Sequence, residues 1–234
     1  MREELQEPRN YFAILQAIAQ GRTRLNEVVQ VTGMERGPAS RYLAILQDLR
    51  LVERRVPVTE TQPDKSRKGS YRLRDPFLAF WFRFVAPYFS VLESGHTAPV
   101  ARRVESELST FLGPPFEDIC RDWVTDQAAQ GNLPFLPERI GSWWDGREEI
   151  DVVALEENEG LFGECKWTSR PVGTNILDDL KRKAHPLMQS AGLRTAHYAL
   201  FARAGFTEAL QAQALHEGVL LVDPETLVEP PLRA

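Results

Sequence analysis

The chain has 234 residues, of which 43% are apolar and 26% charged, and its formal net charge is −5. That length suits one large domain or two small ones, the composition is that of an ordinary globular protein, and the negative balance argues against a chain that coats nucleic acid over its whole surface. The charge is uneven: residues 1–75 hold 14 Lys/Arg against 10 Asp/Glu, and residues 76–234 hold 14 against 23. A basic part followed by an acidic part predicts two modules with different tasks. Cys120 and Cys165 have no metal-ligand spacing and support no disulfide framework, which predicts a reducing cytoplasm. The opening M-R-E-E-L-Q-E-P has no apolar core of a signal peptide. The most apolar stretch, Phe77–Leu92, is too short to span a bilayer and holds Arg83 and Pro87, so no membrane partner is expected.

In chain order, Tyr11, Phe12, Leu15, Ile18 and Ala19 recur at helical spacing, and Gly21 ends that helix. Leu25, Val28 and Val29 line a second short helix that ends at Thr32-Gly33. A third begins at Gly37-Pro38, the proline suiting a first turn, and runs to Leu49 with Tyr42, Leu43, Leu46 and Leu49 inward. Three short helices with a tight glycine turn predict a helix-turn-helix. Two β-type runs follow, Leu51–Val58 and Ser70–Leu73, joined by the polar, basic T-E-T-Q-P-D-K-S-R-K-G. Together they predict a winged helix, whose third helix enters the major groove while the wing touches the backbone. Arg36, Ser40 and Arg41 are the candidate groove residues, and Lys65, Arg67 and Lys68 the candidate phosphate contacts. The same module used for protein contact, with a solvated basic loop, is the alternative.

Asp75-Pro76 predicts a helix start. The run L-A-F-W-F-R-F-V is apolar nearly all round, which predicts a buried joint between modules that Pro87 kinks or ends. Residues 97–112 predict a helix, Gly113-Pro114-Pro115 a break, and Pro115–Ala129 a further helix striped by Phe116, Ile119, Cys120 and Trp123. On it Glu117 has Arg121 four residues on, the spacing of an exposed ion pair. After a loop and short strand over Phe135–Trp144 come strands Ile150–Leu155 and Leu161–Trp167, helix Gly173–Ala191 with Lys181, Arg182 and Lys183 on its exposed side, strand His197–Ala202, helix Phe206–His216 and strand Gly218–Val222. The fold class is α/β (α+β), a winged helix followed by a mixed sheet with flanking helices. The expected domains are 1–75, a helical joint over 76–114, and 115–234.

The stretch Glu148–Trp167 carries the chemistry. Side chains alternate along a strand, so Glu164 and Lys166 share a face and Cys165 takes the other. If the hairpin closes between Glu157 and Asn158, Asp151 stands opposite Glu164. Two carboxylates and an ammonium on an otherwise apolar strand pair are costly unless something binds there. Taken alone, Glu164-x-Lys166 is a weak motif, most simply an ordinary exposed Glu-x-Lys on an edge strand. His96, His185, His197 and His216 suggest neither a metal site nor a triad.

The order helix with Glu117, strand with Asp151, strand with Glu164-x-Lys166, helix, strand resembles the restriction-endonuclease-like, PD-(D/E)XK, nucleases, over residues 115–223. The resemblance implies Asp151 and Glu164 as ligands of Mg²⁺ or Mn²⁺, Lys166 as the catalytic lysine and Glu117 as an accessory acid. It implies a metal-dependent deoxyribonuclease, a class whose members often act as homodimers. Ile150 stands where the family pattern has proline. The runs E-P-R-N-Y, V-P-V-T-E…K-S-R-K-G-S-Y-R-L-R-D-P-F-L-A-F-W-F-R-F-V and F-G-E-C-K-W are also similar to the C-terminal half of archaeal-type P-loop ATPases. There a winged helix and a domain of unknown function follow the ATPase domain. This chain has no G-x-x-x-x-G-K-[ST], so no ATP binding is expected of it. A P-loop ATPase domain or protein is then an expected partner beside DNA. The alternatives that follow are a non-catalytic DNA-binding or regulatory module of such an ATPase, and a winged-helix transcription regulator.

Overall fold

The computed structural model of the chain describes residues 8–228; residues 1–7, on which the reading of the N-terminus rests, lie outside them. The chain forms two compact units. The first ends at Leu108 and leaves out Pro57–Pro63; the second is Pro57–Pro63 with the chain from Ser109 onward.

The first unit opens with helices α1 (Pro8–Ala19), α2 (Leu25–Thr32) and α3 (Arg36–Asp48). Gly33 caps α2 in the left-handed region, at φ 69°, a conformation that costs a side-chain-bearing residue energy. Tyr11, Ile14, Ile18, Val28, Leu43 and Leu46 fill one core, the apolar stripes anticipated from spacing. Strands β1 (Val52–Arg55) and β2 (Ser70–Leu73) pair antiparallel, Val52 with Leu73. This is the expected helix-turn-helix with a wing. The first strand stops short of Val58 because Pro57 has no N–H to offer a ladder. Val58 N donates instead to Ser142 O, 2.9 Å, in the second unit, of which Pro57–Pro63 is a part.

The aromatic run departs from the expected buried helix. The Asp75 side chain does cap α4 (Pro76–Phe80), accepting from Phe77 N at 2.8 Å. The backbone then widens into a π-turn over Trp81–Val85, tightens to a 3-10 turn over Ala86–Tyr88 at Pro87, and resumes as α5 (Phe89–Glu93). Each change of pitch rotates the apolar face. Phe82 and Phe84 are buried, while Phe77 and Phe89 are exposed.

The break at Gly113-Pro114-Pro115 is also absent: α6 is continuous from Ala98 to Ala129. Proline's fixed φ is itself helical; each proline leaves one helical hydrogen bond unmade, and a further part of its cost is the clash with the Cβ of the residue before it, which Pro114 escapes. Gly113 has no Cβ, and its surroundings are open. The buried stripe of its second half is Phe116, Cys120, Val124 and Ala128, four residues apart; Ile119, expected in that stripe, is exposed.

The rest of the second unit is β3 (Arg139–Trp144), β4 (Glu149–Leu155), β5 (Glu159–Lys166), α7 (Thr174–Ala191), β6 (Thr195–Ala202), α8 (Glu208–Glu217), β7 (Leu220–Val222) and α9 (Pro224–Val228). Apart from α9, the order is the one read from the sequence. The five strands lie in the order β3-β4-β5-β6-β7, the first two pairings antiparallel and the last two parallel. Helices α7 and α8 pack on one face through Leu177, Leu180, Leu187 and Leu210. The later half of α6 packs on the other, against Val152, Leu161, Cys165 and Phe201.

Gly163 lies at the centre of this second packing. A Cβ there would come within 3.0 Å of Val152 Cβ and 3.1 Å of Phe201 Cε2, neither of which has room to retreat. Gly163→Ala is expected to lower unfolding stability by about 1–3 kcal/mol, read from urea denaturation, through overpacking beside Glu164.

Candidate functional site

The hairpin β4–β5 closes with Glu156 N donating to Glu159 O, 2.9 Å, around Glu157 and Asn158. Its register pairs Val152 with Gly163 and Val153 with Phe162, and Asp151 and Glu164 lie just beyond the end of that ladder. One hydrogen bond locks that end: Cys165 N donates to Asp151 Oδ2 at 2.8 Å. Between β3 and β4 the register shifts. Gly141 pairs with Val153 but Trp143 with Ile150, so β4 carries one extra residue at Asp151–Val152. A bulge of this kind bends the strand and re-aims a side chain, and it puts Ile150 and Val153 in one core and Val152 in the other.

Charges from four elements, α6, β4, β5 and α7, gather here. Glu164 is buried, and its Oε1 accepts from Lys166 Nζ at 2.5 Å. Cys165 faces the other way, into the core with Phe116 and Cys120, as alternation requires. Lys183 of α7 reaches both Glu164 oxygens at 3.3 Å and Asp179 at 3.2 Å. Expected on the exposed side of α7, Lys183 instead points inward, because Glu164 on the covered face of β5 offers it a counter-charge. Arg121 also departs from the expectation of an exposed pair with Glu117. Its side chain is buried; Nη1 donates to Asp151 O at 2.6 Å, lies 3.7 Å from Glu117 Oε2, and Nη2 pairs with Asp118. It ties α6 to the bulge. In the sequence, strand alternation brought Asp151, Glu164 and Lys166 together and the family resemblance added Glu117; neither assigned Arg121 or Lys183 to the cluster. Their only local signals were a carboxylate three or four residues away, which surface helices share.

Asp151 is the strained member. Burial first, then the charges of Glu117 and Glu164, push its carboxyl up from 3.8 to about 7, against the opposing pull of the Cys165 N–H and Lys166. Among the described residues, no group of three or more His, Cys, Asp or Glu side chains is disposed to hold a metal ion. Two carboxylates suffice for Mg²⁺, which keeps waters and takes phosphate oxygens for its remaining positions. Asp151 and Glu164 have the hard oxygen donors that this chemistry needs.

On the first unit Arg36, Ser40 and Arg41 at the start of α3, and Lys65, Arg67 and Lys68 in the wing, are all exposed. No helix among the described residues is long and apolar enough to cross a membrane.

Fold and site together define a helix-turn-helix module, of the DNA-binding kind, followed by a mixed α/β unit with an acid–lysine cluster. Residues 9–56 match the IclR helix-turn-helix domain, and residues 81–182 match DUF234, described as archaeal and bacterial proteins of unknown function. The second match includes Glu117, Asp151, Glu164 and Lys166. The chain therefore carries an IclR-type helix-turn-helix and, C-terminal to it, a DUF234 segment. It is 36% identical over 189 residues to uncharacterized protein MJECL04 of Methanocaldococcus jannaschii, covering 79% of this chain and 42% of that protein. The chain thus spans less than half the length of that relative. Among solved structures, protein VC1899 of Vibrio cholerae is similar at 15% identity and a TM-score of 0.34, over 93% of this chain and 48% of that one.

Asp151 gives a signed pH test. A carboxyl whose folded pKa exceeds its unfolded value binds protons more tightly when folded. Its ionisation therefore removes stability as pH rises from about 4 to about 7. Asp151→Asn keeps an acceptor for Cys165 N–H and loses that penalty. Urea denaturation in chelator is expected to find the variant more stable than wild type at pH 8, by an amount on the order of a few kcal/mol. The difference should vanish near pH 4.

Proposed function

We propose that this chain binds DNA through its winged helix and hydrolyses phosphodiester bonds, with Mg²⁺ or Mn²⁺, at the cluster of Glu117, Asp151, Glu164 and Lys166. The observation that carries the reading is the hairpin register, locked by Cys165 N–H on Asp151, which sets an acid pair and a lysine at one end of the β4–β5 hairpin. The order of elements supports it, since helix, three strands, helix, strand with these residues in place resembles the PD-(D/E)XK nucleases. Asp151 and Glu164 would hold the cation, which supplies charge stabilisation and lowers the pKa of a bound water. Lys166 adds positive charge where negative charge develops on the phosphate. Arg121 holds the Asp151 backbone, and Glu117 adds a second acid beside it. The basic first module would supply the grip that an acidic second unit lacks. The substrate is DNA, with branched or structured forms the first to try. A homodimer that cuts both strands and a P-loop ATPase as partner belong to the same reading.

One observation favours a second reading. Lys166 and Lys183 both pair with Glu164, which neutralises the carboxylate without any metal. In that reading the nuclease-like frame is a scaffold, and the chain is a DNA-binding regulatory module serving a P-loop ATPase.

Cleavage of linear, nicked and four-way DNA in Mg²⁺ or Mn²⁺ separates the two. Wild type is expected to cut at least one substrate. Glu164→Gln and Lys166→Ala should each lose at least about 100-fold in rate, with DNA binding and circular dichroism unchanged. Wild-type chain that binds DNA but cuts none of these in either metal would refute the nuclease and leave the scaffold.

A further inference from the structure

The first unit holds a recess of about 390 Å³ between the start of α2, the start of α3 and the wing. Four guanidinium-bearing residues line it: Arg24, Arg36, Arg54 and Arg67, with Ser66 and Gly69 from the wing. Arg36 and Arg67 were expected at a DNA surface from their places on α3 and the wing tip. Arg24 and Arg54 were not, and they build the inner wall. Arg24 immediately precedes α2, and its Nη1 donates to Lys68 O at 3.0 Å. Arg54 leaves β1 and donates through Nη2 to Ser66 O at 2.5 Å. Each therefore fixes a backbone carbonyl of the wing while keeping its charge at the recess. Gly69 makes room for this: a Cβ there would overlap the Arg54 guanidinium, coming within 2.6 Å of Cζ.

Four guanidiniums around one concavity favour an anion there, and guanidinium is the group that grips phosphate oxygens in pairs. Leu25 and Asn26, in the first turn of α2, also line the recess, and helix starts favour negative charge. Glu27, in the first turn of α2, is turned onto the Arg24 N–H at 2.9 Å. We infer that this arginine recess is a built seat for the phosphodiester backbone of DNA, with Arg24 and Arg54 as its inner contacts. The inference rests on the DNA-binding half of the proposed function and is independent of the nuclease half. It predicts that the wing and α3 do not grip separately: the strand beside the groove passes between them, over Arg24 and Arg54.

The test is fluorescence anisotropy of the full chain on labelled duplexes of two unrelated sequences, across a salt series. Arg24→Gln and Arg54→Gln should each weaken binding about tenfold, equally on both sequences, and reduce the salt slope by about one. Because both arginines also order the wing, melting temperature is recorded for each. Gly69→Ala, which keeps every charge but displaces the Arg54 guanidinium, should also weaken binding. Wild-type affinity and slope in the two arginine variants, with wild type binding DNA normally, would overturn the seat and leave the DNA reading standing. No DNA binding by wild type would overturn that reading and the seat with it. Displacement of DNA by ATP or inorganic pyrophosphate at micromolar concentration, with unchanged slopes in the variants, would reassign the recess to a small polyanion and overturn the seat.

Discussion

The second unit depends on one hydrogen bond and the register it fixes. Cys165 N–H on Asp151 Oδ2 ends the β4–β5 ladder in a side chain rather than another backbone carbonyl. A slip by one residue would send Glu164 into the apolar core of Phe116 and Cys120 and bring Cys165 among the charges. The two-residue turn at Glu157-Asn158, the ladder and this bond all select the same pairing. The bulge in β4 works at the same place, supplying the extra residue that puts Val152 in one core and Val153 in the other.

That register has an electrostatic consequence. Buried carboxylates need either protons or counter-charges. Glu164 has two ammonium partners, from its own strand and from α7, whereas Asp151 has its charge opposed by burial and by two neighbouring acids. Arg121 meets the Asp151 carbonyl oxygen rather than its carboxylate. Counter-charge is thus uneven: two ammoniums pair with Glu164, while Asp151 has only the Cys165 N–H and the more distant pull of Lys166. In the proposed reading a bound cation would supply the counter-charge that Asp151 is short of.

Much of this was legible in the chain itself, for identifiable reasons. Strand alternation and a two-residue turn suffice to bring Asp151 and Glu164 to the same end of the hairpin, because both are local rules. The helix-turn-helix was readable from Gly33 and from the spacing of Val28, Leu43 and Leu46. Tertiary competition was not readable. The 3.6-residue period gives Lys183 a place near the solvent side of α7, but a buried carboxylate across the packing draws it inward. Arg121 looked like half of a surface pair because its second partner, the Asp151 carbonyl, is 30 residues away. The prolines at 114 and 115 signalled a break, which Gly113 eases only by sparing Pro114 a preceding Cβ, and the aromatic run around Trp81 signalled burial that a change of helical pitch limits to Phe82 and Phe84. Arg24 and Arg54 gave no signal alone; they matter through a recess that forms when wing and helix starts converge.

The central claim is that the acid pair of the hairpin holds a divalent cation, and isothermal titration of Mn²⁺ into the metal-free chain at pH 8 tests it most directly. The account predicts saturable uptake of one ion per chain, lost in Asp151→Asn and in Glu164→Gln while both variants keep the wild-type fold. No saturable uptake, or uptake that persists in both variants, would contradict it.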